Sequence, residues 1–136
     1  MKTMFFALML LPLAACTQTT AADEPRLGER EARDLAKALE GKVPGEPVSC
    51  VTAMRGSNLR ALGDNTLIYK FSKDLVYRNT LDGACHGLSM GDTLVLRRTT
   101  DQYCRGDIAT VVHIPTGSQT GSCVLGDFVP YRTPGK

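Results

Sequence analysis

Nine residues in the middle of the chain, Ala84 to Asp92, read ACHGLSMGD and set a cysteine, a histidine and a Gly-x-Ser-x-Gly match (Gly87-Leu88-Ser89-Met90-Gly91) side by side. In an α/β-hydrolase this spacing works because a strained strand-to-helix elbow lifts the serine hydroxyl out of the sheet, with an acid and a histidine following in the chain. Asp92, Asp101 or Asp107 and then His113 supply that order here. The enzymatic reading is therefore a small serine hydrolase using Ser89 with His113 or His86. Against it, no helical pattern follows Gly91, because Asp92 leads straight into TLVLRRT. The elbow lacks the context that makes it reactive.

Cys85 and His86 suggest a thiolate nucleophile or a metal site. Adjacent Cys and His rarely reach one ion, and no Cys-x-x-Cys or His-x-x-x-His completes a set of four ligands. His113 sits in an apolar run, where a hydrogen-bonded strand residue is the simpler reading. Asp64, Asp82, Asp92, Asp101, Asp107 and Asp127 stand mostly beside Gly or Asn at turns, where a carboxylate bonds nearby backbone N–H groups, and none has calcium-loop spacing. Arg105-Gly106-Asp107 spells an adhesion tripeptide beside a cysteine and reads as coincidence. Neither a metal nor a cofactor is implied.

Whether Cys85 is free depends on the compartment. Met1 to Cys16 has one basic residue, Lys2, an apolar run from Met4 to Leu13, and the ending Leu13-Ala14-Ala15-Cys16. That is the layout of a cleaved secretory leader, since a span of about 30 Å needs roughly 20 apolar residues. The ending resembles a bacterial lipobox, which makes Cys16 the lipidated N-terminal residue after cleavage of 1–15. Thr17 at the next position, by the same resemblance, points to an outer-membrane lipoprotein facing the periplasm. Several acyl chains hold a protein on a membrane far more firmly than one. With Cys16 acylated, Cys50, Cys85, Cys104 and Cys123 remain, an even set for two disulfides in an oxidising compartment.

The elements that would position these residues follow. Residues 16–27 carry TQTTAADEPRL, too polar to order itself, and read as a tether. Residues 28–42 hold one amphipathic helix with Ala32, Leu35, Ala36 and Leu39 at i, i+3, i+4 and i+7, and Gly41 as its stop. Its mixed polar face and small apolar residues favour packing on the domain over lying in a membrane. Val43 to Pro47 reads as a linker or turn. A β domain spans 48–130, with strands over Val48–Met54, Thr66–Phe71, Leu75–Leu81, Thr93–Thr99, Ile108–Ile114 and Cys123–Phe128, and 131–136 is a tail. Ser72-Lys73-Asp74 forms a hairpin loop that sets Tyr69 opposite Tyr77 and Phe71 opposite Leu75. Arg78, Asn79 and Thr80 form either an exposed polar ladder for a ligand or a plain solvent face. The fold class is mainly β: a small antiparallel barrel or sandwich with one N-terminal helix, stapled by disulfides.

Spacing allows three cysteine pairings. Chain position weights Cys50 with Cys123, which would close the domain, and Cys85 with Cys104, which flank TLVLRRT. The loop-entropy model gives these about 4 and about 3 kcal/mol. Net charge is +2 from 16 basic and 14 acidic residues, with no basic stripe interleaved with aromatics, so nucleic acid is not the expected partner.

Cys50 with Arg55, Asp64-Asn65-Thr66-Leu67-Ile68, Val76-Tyr77-Arg78-Asn79-Thr80-Leu81, Cys85 with Gly87-Leu88, Tyr103-Cys104 with Asp107-Ile108, and Cys123-Val124-Leu125-Gly126 with Phe128 and Pro130 together resemble a family of small exported proteobacterial proteins of unknown function. The resemblance covers roughly Val48 to Pro130, and RNTL-x₃-C-x-G-L is its most specific part. It implies four paired cysteines and a secreted or lipid-anchored domain, and it supplies no catalytic residues. His86 departs from the pattern, which often has proline there. The expectation is a non-catalytic, lipid-anchored binding or accessory domain for an envelope protein or glycan. A structural or inhibitor-type domain capping a partner protein is the third alternative.

Overall fold

The computed structural model describes residues 27–55, 59–83 and 85–136; the expected leader, Cys16 and the expected tether as far as Arg26 lie outside them. Helix α1 spans Glu29–Leu39, with Glu29 and Glu31 in its first turn and Lys37 in its last, charges that suit the helix dipole. Gly41 takes φ +69° just after it, and Lys42 N–H donates to Leu39 O at 3.1 Å. Leu35, Ala38 and Leu39 pack on Leu62, Ile68 and Val76. The helical face is thus rotated from the one expected, for Ala32 and Ala36 are exposed. Alanines bury too little area to orient a helix, so Leu35 and Leu39 set the side that turns inward, and Asp34 meets Arg60 Nη2 at 2.7 Å at its border.

The described strands are β1 (Val43–Pro44), β2 (Cys50–Thr52), β3 (Leu59–Leu62), β4 (Thr66–Lys70), β5 (Leu75–Asp82), β6 (Thr93–Leu96), β7 (Gln102–Cys104), β8 (Ile108–His113) and β9 (Ser118–Arg132), with a 3₁₀ turn over Leu88–Met90. The main sheet runs β3-β4-β5-β9-β8-β6 in antiparallel pairs, and β1 adds to β9. It curls into a half-barrel, the mainly β class expected. Tyr69 faces Tyr77, as the hairpin loop requires, and Phe71 N–H donates to Leu75 O.

Strand β9 is what bends the sheet. Its first half pairs with β8 and its second with β5, and both ladders slip: Val111 faces Gly121 but Val112 faces Gln119, while Asn79 faces Phe128 but Leu81 faces Leu125. Each slip places an extra residue in β9, and such bulges bend a strand and deepen its twist. The strand runs on through Tyr131 and Arg132, which therefore belong to the sheet and not to a tail. Val43-Pro44 pairs with them instead of forming a plain linker.

Leu67, Tyr69, Leu81, Ala109, Val111, Cys123, Leu125 and Phe128 fill the concave face. A two-stranded ribbon, β2 with β7, closes over it through Val51 and Tyr103. Tyr69 ties ribbon to sheet, its hydroxyl donating to Thr52 O at 2.8 Å and accepting from Met54 N–H at 2.9 Å.

All four remaining cysteines are paired, but with partners exchanged relative to the weighting from chain position. Cys50 bonds Cys104 and Cys85 bonds Cys123. The reason is β7, which the sequence did not reveal as a strand: antiparallel pairing sets Cys50 opposite Cys104, with Cα atoms 4.1 Å apart. Cys123 instead lies within β9 and points into the core, where the turn after Asp82 delivers Cys85 at a Cα distance of 5.3 Å.

Candidate functional site

Antiparallel order makes β3 and β6 the two ends of the sheet, and curling brings these ends to a common groove. Among the described residues, β3 pairs only with β4 and β6 only with β8, so each presents an unpaired edge of backbone N–H and C=O groups. Strand alternation turns Leu59 and Ala61 from β3, and Leu94 and Leu96 from β6, toward the core side. With Leu88 and Tyr103 they line a groove of about 440 Å³ along the open seam of the half-barrel.

Charged side chains on the lining complete it. Asp92 has a side chain only 7% exposed, with His113 Nδ1 placed to donate to its Oδ1 at 2.8 Å and Thr120 Oγ1 donating to its Oδ2 at 2.7 Å. The His113 and Thr120 hydrogen bonds hold its carboxyl below the ordinary value of 3.8. Thr120 is the extra residue of a β9 bulge, so the distortion that bends the sheet also builds this site. Arg98 lies over the Tyr103 ring, 4.6 Å from its centroid, a cation–π contact that fixes a positive charge on the groove. The groove thus offers an apolar floor, two sheet edges unpaired among the described residues, and one fixed charge of each sign.

The residues singled out from the sequence fall elsewhere or in other roles. Cys85 is fully buried in its disulfide and has no free thiol. His86 is exposed on a turn, its backbone pressed against Gly121. Ser89 is exposed on the 3₁₀ turn, where its N–H donates to Asp64 Oδ1 at 2.9 Å. The structure does bring Asp92 and His113 together, but Ser89 lines a different cavity with Arg30, Glu31 and Asp34. Gly87 holds φ +97°, and a side chain there would collide with Asp92 and Thr120. Its carbonyl accepts from both Met90 and Asp92 N–H at 3.0 Å, so the Gly-x-Ser-x-Gly match folds as a turn leading into β6 and not as a strand-to-helix elbow. Among the described residues, no three His, Cys, Asp or Glu side chains gather as metal ligands.

Arg78, Asn79 and Thr80 do not form one exposed ladder. Asn79 is 1% exposed and shares the inner face with Tyr77 and Leu81, while Thr80 faces solvent. The Asn79 amide donates to Gly126 O at 2.7 Å and Asp127 O at 3.3 Å, and its Oδ1 accepts from Gly126 N–H at 3.1 Å. It satisfies the backbone that the second β9 bulge leaves unpaired. Arg105 and Asp107 are likewise engaged: Arg105 pairs with Asp127 at 3.1 Å, and Asp107 Oδ2 accepts from Cys104 N–H at 2.8 Å.

Sequence reasoning missed the groove. The alternation of Leu94 and Leu96 was visible, but nothing local says that β6 ends the sheet opposite β3. Arg98 and Tyr103 meet only because the ribbon folds over.

Comparison with curated proteins finds no match, and comparison with solved structures finds none. The family-model match begins at residue 1, taking in the apolar run Met4 to Leu13, Cys16 and α1, where the resemblance in sequence spanned only the β domain. With residues 1–125 matched by the model of a "Family of unknown function (DUF6491)", the chain belongs to that family.

Proposed function

We propose that this protein is a lipid-anchored, non-catalytic binding domain of the cell envelope, and that its seam groove takes an extended segment of a partner polypeptide. The layout of Met1 to Cys16 and the two paired disulfides support an exported protein, since such bonds persist in oxidising compartments. The observation that carries the binding reading is the groove between two edges that are unpaired among the described residues. An added strand takes its affinity from main-chain hydrogen bonds to an edge, and pockets for alternate side chains select its sequence. Leu59, Ala61, Leu94 and Leu96 supply the apolar pockets, and Asp92 and Arg98 fix orientation. A glycan fits less well, because Tyr103, the aromatic ring on the groove, is 9% exposed and covered by Arg98. A domain that caps a partner protein would use the same groove. The serine-hydrolase reading loses support from the separate cavities of Ser89 and Asp92.

Photo-crosslinkers placed at Leu59 and Leu96 in intact cells test this. The expected product is a shared polypeptide adduct from both sites, absent from Thr80 and suppressed by Leu94→Arg. Adducts to glycan, or equal adducts from Thr80, would refute the groove. Labelling with an acyl-chain precursor, lost in Cys16→Ser, tests the anchor separately.

A further inference from the structure

A second cavity, sharing no lining residue with the seam, lies between α1 and the outer face of the sheet. It measures about 590 Å³ and gathers Lys37, Lys42, Arg60, Lys70 and Lys73 around a floor formed by Ala38, Ile68 and Val76. Five of the chain's 16 basic residues therefore surround one cavity in a protein whose net charge is only +2. The one carboxylate on the lining, Asp34, is taken by Arg60 at 2.7 Å. Lys73 reaches Asp74 at 3.7 Å with its own side chain 85% exposed, and among the described residues no carboxylate pairs with Lys37, Lys42 or Lys70.

Like charges drawn into one concavity repel one another and focus a positive potential that an anion relieves. Lysine ammoniums are compact point charges on flexible stems, suited to phosphate oxygens without the planar geometry that arginine demands. A single carboxylate leaves most of this charge uncompensated, whereas a headgroup with more than one phosphate matches it. Ile68 and Val76 are 6% and 3% exposed beneath α1, so the apolar surface open to a ligand's uncharged portion is that of Ala38 and the lysine stems. We propose that this cavity binds the headgroup of an anionic phospholipid carrying more than one phosphate, with its glycerol along Ala38 and the lysine stems. The inference does not depend on what the seam binds.

Native mass spectrometry of the full acylated chain, released from neutral detergent micelles, tests it with cardiolipin, phosphatidylcholine and inorganic pyrophosphate as probes. Cardiolipin should be retained and phosphatidylcholine not. The double variant Lys37→Gln/Lys70→Gln should bind cardiolipin about thirtyfold more weakly, taking each basic contact at its usual strength against anionic lipid. Both side chains are exposed, and an unchanged thermal unfolding curve verifies that the variant is folded. The control Arg97→Gln/Arg105→Gln removes the same charge elsewhere and should bind as the parent does. Equal loss in the control would reduce the effect to net charge and overturn the site. Pyrophosphate bound as tightly as cardiolipin would overturn the lipid assignment, and undiminished cardiolipin binding in the double variant would overturn the cavity.

Discussion

Replacing Asn79 with leucine tests how the bent strand β9 is held. The substitution nearly conserves volume, so the cost comes from polar groups and not from a cavity. Three hydrogen bonds disappear, two accepted by Gly126 O and Asp127 O and one donated by Gly126 N–H. Asn79 is 1% exposed, so water does not simply take its place. Each net bond contributes about 1 kcal/mol, and each group left unsatisfied in the interior costs about 1–3 kcal/mol. The longest of the three, at 3.3 Å, is the weakest. The expected destabilisation is about 3–4 kcal/mol, a large share of the roughly 5–15 kcal/mol that holds a small domain. Equilibrium urea denaturation with disulfides intact should show the midpoint falling at constant slope, because the exposed surface of the unfolded chain does not change. Thr80→Ala, one residue away on the solvent face, should stay within about 0.5 kcal/mol of the parent. Should Asn79→Leu unfold within that same margin, the bulge does not rely on Asn79 and the account of β9 is wrong.

Two further outcomes follow from the bonding described. Non-reducing peptide mapping should recover Cys50 linked to Cys104 and Cys85 linked to Cys123; recovery of a Cys50–Cys123 peptide would contradict the ribbon of β2 and β7. Because the folded carboxyl of Asp92 sits below its ordinary 3.8, the unfolded chain binds the proton more readily, so this group's stabilisation is complete above 3.8 and drains away as pH falls through the folded value. Asp92→Asn should flatten that acid limb in denaturation curves collected across it, and an unchanged slope would mean that His113 and Thr120 do not hold the carboxylate.

Parts of the fold with short-range causes were legible in the sequence. The loop Ser72-Lys73-Asp74 dictates the register of Tyr69 on Tyr77 regardless of the rest of the chain, and the helix needed only its period and Gly41. The face of Asn79 was legible and its role was not. Strand period places it on the face of Tyr77 and Leu81, but its polarity suggested solvent, and the buried backbone that needs an amide arises only where β9 bulges. The disulfide partners were not legible, because Cys50 pairs across a ribbon whose second strand is three residues long and carries no alternating pattern.

The stretch ACHGLSMGD looked like a nucleophile, a base and an elbow, and in the structure it builds part of the groove wall. Cys85 anchors it to β9 through Cys123, and Ser89 N–H ties it to the turn between β3 and β4 through Asp64. Held at both sides, the 3₁₀ turn places Leu88 on the seam, and the Gly87 carbonyl positions Asp92 at the start of β6. A side chain at Gly87 would displace the carboxylate from His113 and Thr120. Glycine, cysteine and serine are the residue types that active sites use to bring backbone, thiol and hydroxyl close to a substrate. They are also the types that let a chain turn tightly, lock and hydrogen-bond to itself. What separates the two uses here is the partner of each atom: sulfur on sulfur, amide on carboxylate, carbonyl on amide, which leaves Leu88 and Asp92 as the residues this stretch presents to the groove.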